Sequence, residues 1–272
     1  MLSKVVIVSA CTLIIGLLIG LYVINPYDSL VERYNGLVGK YNDLTSDYNK
    51  LNADQNSDSI SEDNCTAVTV VYYTNFTRDR RSITLSIPYE KYDAYHEKYH
   101  QYWGKDNLAL PAEYITFNET IINQIVTTIE NQTQSEEELA NALLDFVQYK
   151  ERTMSIRYYP TTELKYPIET LVEMGGDCDT HSFLYATLMK AAGFKVVLLF
   201  SNEKLSDGQY HVATAVHLDS PPIFPSSISE KALFAYNGED YYFAETTGWA
   251  RHIGEIDEVS ESGNLTYQII PV

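Results

Sequence analysis

Three residue types that support nucleophilic catalysis stand in separate segments of this chain. Cys178 lies in "GGDCDTHSFL", His211 lies near the start of "QYHVATAVHL", and Glu245 ends the segment "YYFAE". A thiol, an imidazole base and a carboxylate that orients the base together support acyl transfer. Sequence spacing alone does not bring three distant segments together, so the elements that carry these residues must be identified.

Cys178 is predicted to begin a helix. Asp177 is a favourable N-cap residue, Gly193 is a favourable C′ residue, and an apolar face lies between them. At a helix N-terminus the unpaired N–H groups and the dipole favour a thiolate. The carboxylates of Asp177 and Asp179 oppose this effect, so a neighbouring imidazolium is required to hold the thiolate.

Two predicted strands supply the base and the acid. "QYHVATAVHL" alternates like a strand, with His211 near its start. "ALFAYNGEDYYFAETT" is typical of a hairpin that turns at Asn237-Gly238, and its second strand ends at Glu245. The sequence therefore predicts a helix that presents sulfur and two strands that present imidazole and carboxylate.

Three motifs resemble those of the transglutaminase-like cysteine enzymes of the papain-like superfamily. They are "YPIETLVEMGGDCDTHSFLYATLMKAAGFKVVLLF", "YHVATAV" and "YYFAETTGWARHIGEI", and the resemblance spans residues 145–256. It implies that Cys178 is the nucleophile, His211 the general base and Glu245 the third member. Many members have "D-P-T" where this chain has "E-T-T", but Glu accepts the same imidazole N–H. The implied fold is α+β, with the nucleophile helix packed on an antiparallel sheet.

Oxyanion stabilisation needs hydrogen-bond donors beside the sulfur. The backbone N–H of Cys178 is the natural first donor, and Gly175 and Gly176 would let a substrate backbone approach closely. In the resembling family a second donor comes from a side chain upstream of the cysteine. Gln148 is the candidate, and the alternative is a solvated side chain at the end of its helix.

Competing interpretations of the cysteine are an inert buried thiol and a zinc site. Cys178 and His181 are three residues apart, and His211 and His217 are further candidate ligands. Polar and flexible neighbours argue against a core position, and no second thiol lies nearby in sequence. We therefore expect no metal and no cofactor.

A different histidine competes for the role of base. His252 lies close to Glu255 and Asp257, which could orient it. The family resemblance favours His211 instead. Hydrolysis of peptide or side-chain amides is the expected reaction, with protein cross-linking or an inactive binding module as alternatives.

The N-terminal segment is predicted to anchor the chain in a membrane. Val5 to Ile24 carries no charge over twenty residues, which is long enough to span a bilayer. A signal peptide, or a lipoprotein cleavage site at Cys11, is the alternative interpretation. We assign residues 1–26 to the anchor and expect the remainder to be extracytoplasmic.

Five glycosylation-type triplets agree with export. They begin at Asn64, Asn75, Asn118, Asn131 and Asn264.

Residues 27–58 are predicted to form a stalk and linker. "YNGLVGK", "YNDLTSD" and "YNKLNAD" are consecutive seven-residue repeats with a Leu/Tyr seam. Such a seam favours a short coiled coil and a homo-oligomer, and a loose single-helix spacer is the alternative. The polar, acidic segment before residue 64 is typical of a linker.

Two further regions follow the linker. Residues 59–134 are predicted to contain a β-hairpin and a helix over 118–131, and residues 135–272 the transglutaminase-like core. Ser135 and Glu138 form a capping box for the helix that starts this core.

The composition restricts the partners. The chain has 272 residues, 45% of them hydrophobic, and a formal net charge of −18. Such a charge disfavours nucleic acid and anionic lipid surfaces. Protein or peptide substrates are the expected partners, besides the membrane around the N-terminal helix.

Overall fold

The computed structural model describes residues 64–74, 79–150, 154–161, 163–206, 208–225, 231–248, 250–256 and 265–272. The membrane anchor predicted at 1–26 and the stalk predicted at 27–58 lie outside the described residues. Within the ranges given, no helix combines the length and the apolar character needed to cross a bilayer. Asp63–Val272 forms one compact unit, and the following description concerns that unit.

The unit contains five α-helices, two short 3-10 helices (Lys105–Asn107 and Leu110–Glu113) and nine strands among its described residues. The helices are α1 Tyr89–His96, α2 Thr120–Glu130, α3 Glu136–Val147, α4 Pro167–Glu173 and α5 Cys178–Ala191. The strands are β1 Cys65–Thr74, β2 Asp79–Pro88, β3 Arg157–Tyr158, β4 Gly175–Gly176, β5 Val196–Lys204, β6 Tyr210–Val216, β7 Leu233–Tyr236, β8 Glu239–Ala244 and β9 Tyr267–Pro271.

A five-stranded antiparallel sheet carries the strands that follow the nucleophile helix. Its strand order is β7-β8-β6-β5-β9. Because neighbouring side chains of a strand point to opposite faces, β6 contributes to two apolar clusters. Val212 and Val216 join the core that contains α5, and Ala213 and Ala215 pack with the other face of the sheet.

The strands predicted from the sequence are confirmed. Residues 210–216 form β6, and the hairpin of β7 and β8 turns at Asn237 and Gly238. Their φ angles are +53° and +81°, as a tight hairpin turn with two left-handed residues requires. Glu245 directly follows β8, as predicted.

The N-terminal region folds against the same core. The predicted hairpin forms as β1 and β2, and the predicted helices form as α2 and α3. Ser135 Oγ accepts from the backbone N–H of Glu138 at 3.1 Å. The Glu138 carboxylate accepts from the backbone N–H of Gln134 at 2.8 Å, so the return bond is shifted by one residue from an ideal capping box.

Helix α5 has the ends that were predicted. The Asp177 carboxylate accepts from the backbone N–H of Thr180 at 3.4 Å, and Gly193 follows the helix with a φ of +88°. The mixed architecture, with α5 packed on an antiparallel sheet, agrees with the predicted α+β class.

Candidate active site

His211 and Glu245 form a buried pair. His211 Nε2 lies 2.9 Å from Glu245 Oε2, and the two residues are only 6% and 8% exposed. Burial acts to lower the pKa of His211, but the charge and hydrogen bond of Glu245 outweigh it and raise the pKa above 6.5. Because Nε2 is committed to the carboxylate, Nδ1 is the ring nitrogen left to act as a base.

Glu245 is held by the residues that follow it. Its Oε1 accepts from the backbone N–H of Thr247 at 3.0 Å and from the Thr247 hydroxyl at 2.6 Å. Burial acts to raise the Glu245 pKa, yet His211 and Thr247 lower it to about 2. The second threonine of "E-T-T" thus fixes the longer side chain of Glu and keeps it ionised.

Gln148 lies fully buried behind Glu245 instead of being solvated. Its Nε2 donates to the backbone oxygens of Glu245 at 2.9 Å and Arg251 at 3.0 Å. Both amide hydrogens are used in this way. The structure therefore brings Gln148 to the predicted site but directs its donors at the protein backbone.

The sulfur of Cys178 lies against the strand that carries His211. Sγ is 3.9 Å from the carbonyl oxygen of Tyr210, and the backbone N–H of Val212 is a second hydrogen-bond partner of this side chain. These residues immediately precede and follow His211. Since Cys178 is the first residue of α5, its own N–H has no acceptor within the helix.

The thiol of Cys178 is held in its neutral form. Burial raises its pKa well above 9.0, and the carboxylates of Asp179 and Asp177 add to the rise. Asp177 is itself bound by the backbone N–H and the hydroxyl of Thr161, at 3.1 and 2.7 Å. The opposing effect of the two aspartates expected from the sequence is therefore present, and it adds to the larger effect of burial.

Gly175 and Gly176 are packed closely within the protein. A Cβ on Gly175 would lie 2.4 Å from the ring of Tyr159 and 2.7 Å from the carbonyl oxygen of Arg157. A Cβ on Gly176 would lie 2.3 Å from the Thr180 side chain. Both glycines are buried, so internal packing is a second reason for glycine at these positions, besides the approach of a substrate expected from the sequence.

Sequence reasoning missed a buried contact between helix α5 and the residues that directly follow Glu245, here called the acid loop. Ser182 Oγ lies 3.0 Å from Thr246 Oγ1 and donates to the carbonyl oxygen of Val212 at 3.4 Å. Ser182 and Thr246 are both completely buried. Two features of the sequence could have indicated this contact: a serine one helical turn after Cys178 and the middle threonine of "E-T-T".

Tyr267 on β9 is a further neighbour that the motifs do not include. Its ring lies 6.4 Å from that of His211, centroid to centroid. Burial raises its pKa, and the charge of Glu245 raises it further. Tyr267 therefore stays a neutral phenol beside all three candidate residues.

The other histidines have local partners. His181 is fully buried, and its Nε2 lies 3.3 Å from the carbonyl oxygen of Arg157. Nδ1 of His217 lies 2.9 Å from the carbonyl oxygen of Asp240. His252 pairs with Glu255 at 3.0 Å, three residues away, and forms the alternative base and acid considered above.

Comparison with family models and with curated proteins gives no match. Among solved structures, the chain is similar to a candidate cysteine protease from Cytophaga hutchinsonii, with 12% identity and a TM-score of 0.27. That alignment covers 61% of this chain and 41% of the other. It is also similar to a transglutaminase, with 13% identity, a TM-score of 0.30, and coverage of 74% and 50%.

The chain thus spans half or less of the length of these solved chains. At such TM-scores the likeness does not identify corresponding site residues. The roles of individual residues therefore rest on the contacts within this chain.

Proposed function

We propose that this chain is a membrane-anchored, extracytoplasmic thiol acyl-transfer enzyme that hydrolyses peptide or side-chain amide bonds. Cys178 is the nucleophile, His211 the general base and Glu245 the acid that orients the base. The observation that carries the proposal is the buried His211–Glu245 pair, with the Cys178 sulfur against the backbone on both sides of His211.

The reaction follows from these positions. The Cys178 S–H proton passes to His211 Nδ1 while the sulfur attacks the amide carbonyl carbon. The imidazolium then protonates the amine as the C–N bond breaks, which leaves a thioester. Water attacks the thioester, gives its proton to the imidazole and releases the acid and the free thiol.

Stabilisation of the oxyanion is proposed to begin with the backbone N–H of Cys178. The expected contribution of Gln148 would require one of its bonds, to Glu245 or to Arg251, to be exchanged for the substrate oxygen. As placed, Gln148 is a positioning residue that fixes the backbone of the acid loop.

The site also sets a condition for turnover. The resting thiol points at the Tyr210 carbonyl oxygen, and burial together with Asp179 and Asp177 disfavours its ionisation. We therefore propose that the proton transfers to His211 when a substrate or an alkylating reagent draws the sulfur away from Tyr210.

The location of the enzyme is proposed from its sequence. Residues 1–26 would anchor the chain and residues 27–58 would form a stalk that favours homo-oligomers. Three of the five glycosylation-type asparagines fall on described residues, and Asn64, Asn118 and Asn131 are all exposed. Their exposure allows glycans on an extracytoplasmic domain.

A binding module without turnover is the second candidate. The observation that favours it is the neutral, carboxylate-flanked thiol, because the attacking species in acyl transfer is the thiolate. Cross-linking of protein glutamine side chains would use the same thioester with an amine in place of water.

The rate of iodoacetamide modification of Cys178 between pH 5 and 9 tests the proposal. The full-length chain in detergent micelles is compared with His211→Ala and with a matched His252→Ala control, and mass spectrometry follows the Cys178 and Cys65 peptides separately. Partly buried Cys65 reports general thiol reactivity. We expect His211→Ala alone to slow the Cys178 reaction below pH 7.

Equal Cys178 rates in the wild type and in His211→Ala would show that the imidazole does not activate the thiol. That result would favour the binding module. If activation is found, adding a primary amine to a peptide substrate distinguishes hydrolysis from cross-linking by the mass of the product.

A further inference from the structure

A second cluster of titratable residues joins the N-terminal region to the helix before the nucleophile. His96 ends helix α1 and His100 follows it, while Glu169 and Glu173 lie four residues apart on α4. Helices α1 and α4 pack together, and residues four apart share a helix face. One ligand atom each from His96, Glu169 and Glu173 lies within 4.8 Å of the others.

Glu169 is the centre of this cluster. Its side chain is only 2% exposed, and its Oε2 accepts from the backbone N–H of Tyr166 at 2.8 Å. Its Oε1 lies 3.2 Å from His96 Nδ1 and 3.4 Å from His100 Nε2. A buried carboxylate oxygen thus faces two imidazole nitrogens.

His100 lies against the same carboxylate. Its Nδ1 lies 2.6 Å from the carbonyl oxygen of Leu164, and its buried Nε2 lies 3.4 Å from Glu169 Oε1. A carboxylate buried as deeply as that of Glu169 is expected to be paired with a cation or to coordinate a metal ion.

Glu173 adds negative charge on the other side of His96. Its Oε1 lies 3.8 Å from His96 Nδ1 and accepts from the Tyr92 hydroxyl at 2.9 Å. Its Oε2 pairs with Lys165 at 2.6 Å, which leaves one net negative charge on the two glutamates. The cluster opens to a cleft of about 650 Å³ lined by His96, His100, Glu169 and Glu173, so an ion has a path to it.

We propose that His96, Glu169 and Glu173 bind one divalent transition-metal ion such as Zn²⁺, with the fourth position open to the cleft. Tetrahedral zinc with bonds of about 2.1 Å separates its ligand atoms by about 3.4 Å. The distances of 3.2 Å from His96 Nδ1 to Glu169 Oε1 and 3.8 Å from His96 Nδ1 to Glu173 Oε1 are close to that separation.

Such an ion would join the segment after β2 to the nucleophile loop. Glu173 ends α4, and the next elements are β4 and the first residue of α5, Cys178. Lys165, bound to Glu173, also donates to the carbonyl oxygen of Gly175 at 3.3 Å. The site is therefore a structural connection between the N-terminal region and the loop, and it does not depend on the proposed acyl transfer.

Titration with Co²⁺ tests the site because its visible absorption reports coordination. The tag-free full-length chain in detergent micelles is stripped with EDTA and its thiols are alkylated, so that Cys178 cannot bind the ion. We expect one equivalent of Co²⁺ to bind and Zn²⁺ to displace it. His96→Ala and Glu169→Gln should each weaken binding by tenfold or more, whereas His252→Ala, which removes a different His–Glu pair, should not.

His96 provides the test that folding does not obscure, since its side chain is 56% exposed. A melting temperature of the wild type that rises with Zn²⁺ and falls with EDTA, but is insensitive to both in His96→Ala, would support the site. Lack of saturable Co²⁺ absorption, or binding unchanged in His96→Ala, would overturn it.

Discussion

Two imidazole–carboxylate clusters lie on either side of the segment that leads to Cys178, and they differ in how their carboxylates are satisfied. Glu245 accepts from His211 on one oxygen and from Thr247 on the other. Glu169 instead faces His100, whose Nε2 has no hydrogen-bond partner. The same residue types therefore make two different arrangements. His211 and Glu245 form a closed pair that positions a base, whereas His96, His100, Glu169 and Glu173 form an open cluster with room for a cation.

Replacing Glu245 by Gln should have the largest effect on the closed pair. The amide leaves the shape nearly unchanged but removes the charge that stabilises the His211 imidazolium. Because a positioned base with its orienting group contributes about 10²-fold or more to such a proton transfer, we expect about a hundredfold slower alkylation of Cys178 at pH 6.

Glu255→Gln is the matched control, since it removes the carboxylate of the His252 pair. Its alkylation rate should equal that of the wild type. An equal loss in both variants would mean that Glu245 does not act through His211.

The stability of the closed pair should depend on pH in a defined window. The folded pKa of Glu245 lies below its ordinary value of 4.5, so its contribution is present above pH 4.5 and is lost as pH falls toward 2. The folded pKa of His211 lies above 6.5, so its contribution is present below pH 6.5 and is lost as pH rises through the raised value. The pair contributes most between pH 4.5 and 6.5.

Urea unfolding of the wild type and of Glu245→Gln at several pH values measures this window. Removing one partner of a buried ion pair costs about 3 kcal/mol, so we expect that difference between pH 4.5 and 6.5 and a smaller one outside it. A difference that stays constant from pH 3 to 9 would contradict the assigned pair.

Gly176 lies in the short segment that connects helix α4, which carries Glu169 and Glu173, to Cys178. Gly176→Ala should therefore disturb both clusters. The added Cβ would lie 2.3 Å from the Thr180 side chain in the first turn of α5. Overpacking of this kind costs about 1–3 kcal/mol, and the shift should disturb both Co²⁺ binding and Cys178 alkylation.

Gly104→Ala is the control for that change, because its Cβ would meet only Tyr102, at 3.8 Å, and its extended backbone suits any residue. Differential scanning calorimetry should show a lower melting temperature for Gly176→Ala alone. Equal melting temperatures for the two variants would mean that the loop relaxes around the methyl group.

Local patterns were sufficient to predict the elements that carry the closed pair. The N-cap at Asp177, the alternation around His211 and the turn at Gly238 each act over a few residues, and the structure has the corresponding helix and strands. Tertiary packing decided the remainder. For Gln148 the sequence left an oxyanion donor or a solvated helix end open, whereas the structure buries the side chain completely against the backbone of Glu245.

The open cluster could not be predicted from the sequence because its halves are about seventy residues apart. His96 and Glu169 become neighbours only when α1 packs on α4. Helix α1 offers little signal, since only Tyr95 among its residues is buried. Histidines four residues apart were visible, but nothing local connected them to glutamates elsewhere.

The contact between Ser182 and Thr246 should show the smallest effect, and a double variant gives it a sharper test. It has a counterpart in neither histidine cluster, because it joins two hydroxyls instead of an imidazole and a carboxylate. Ser182→Ala leaves the buried Thr246 hydroxyl without its partner at 3.0 Å, which costs about 1–3 kcal/mol. Adding Thr246→Val removes that unsatisfied group, so the double variant should recover part of the stability.

Urea unfolding of the wild type, both single variants and the double variant measures the coupling between the two hydroxyls. Strictly additive losses would show that the two hydroxyls do not interact, and contacts such as those of Thr247 and Gln148 would then hold the loop after Glu245 without them.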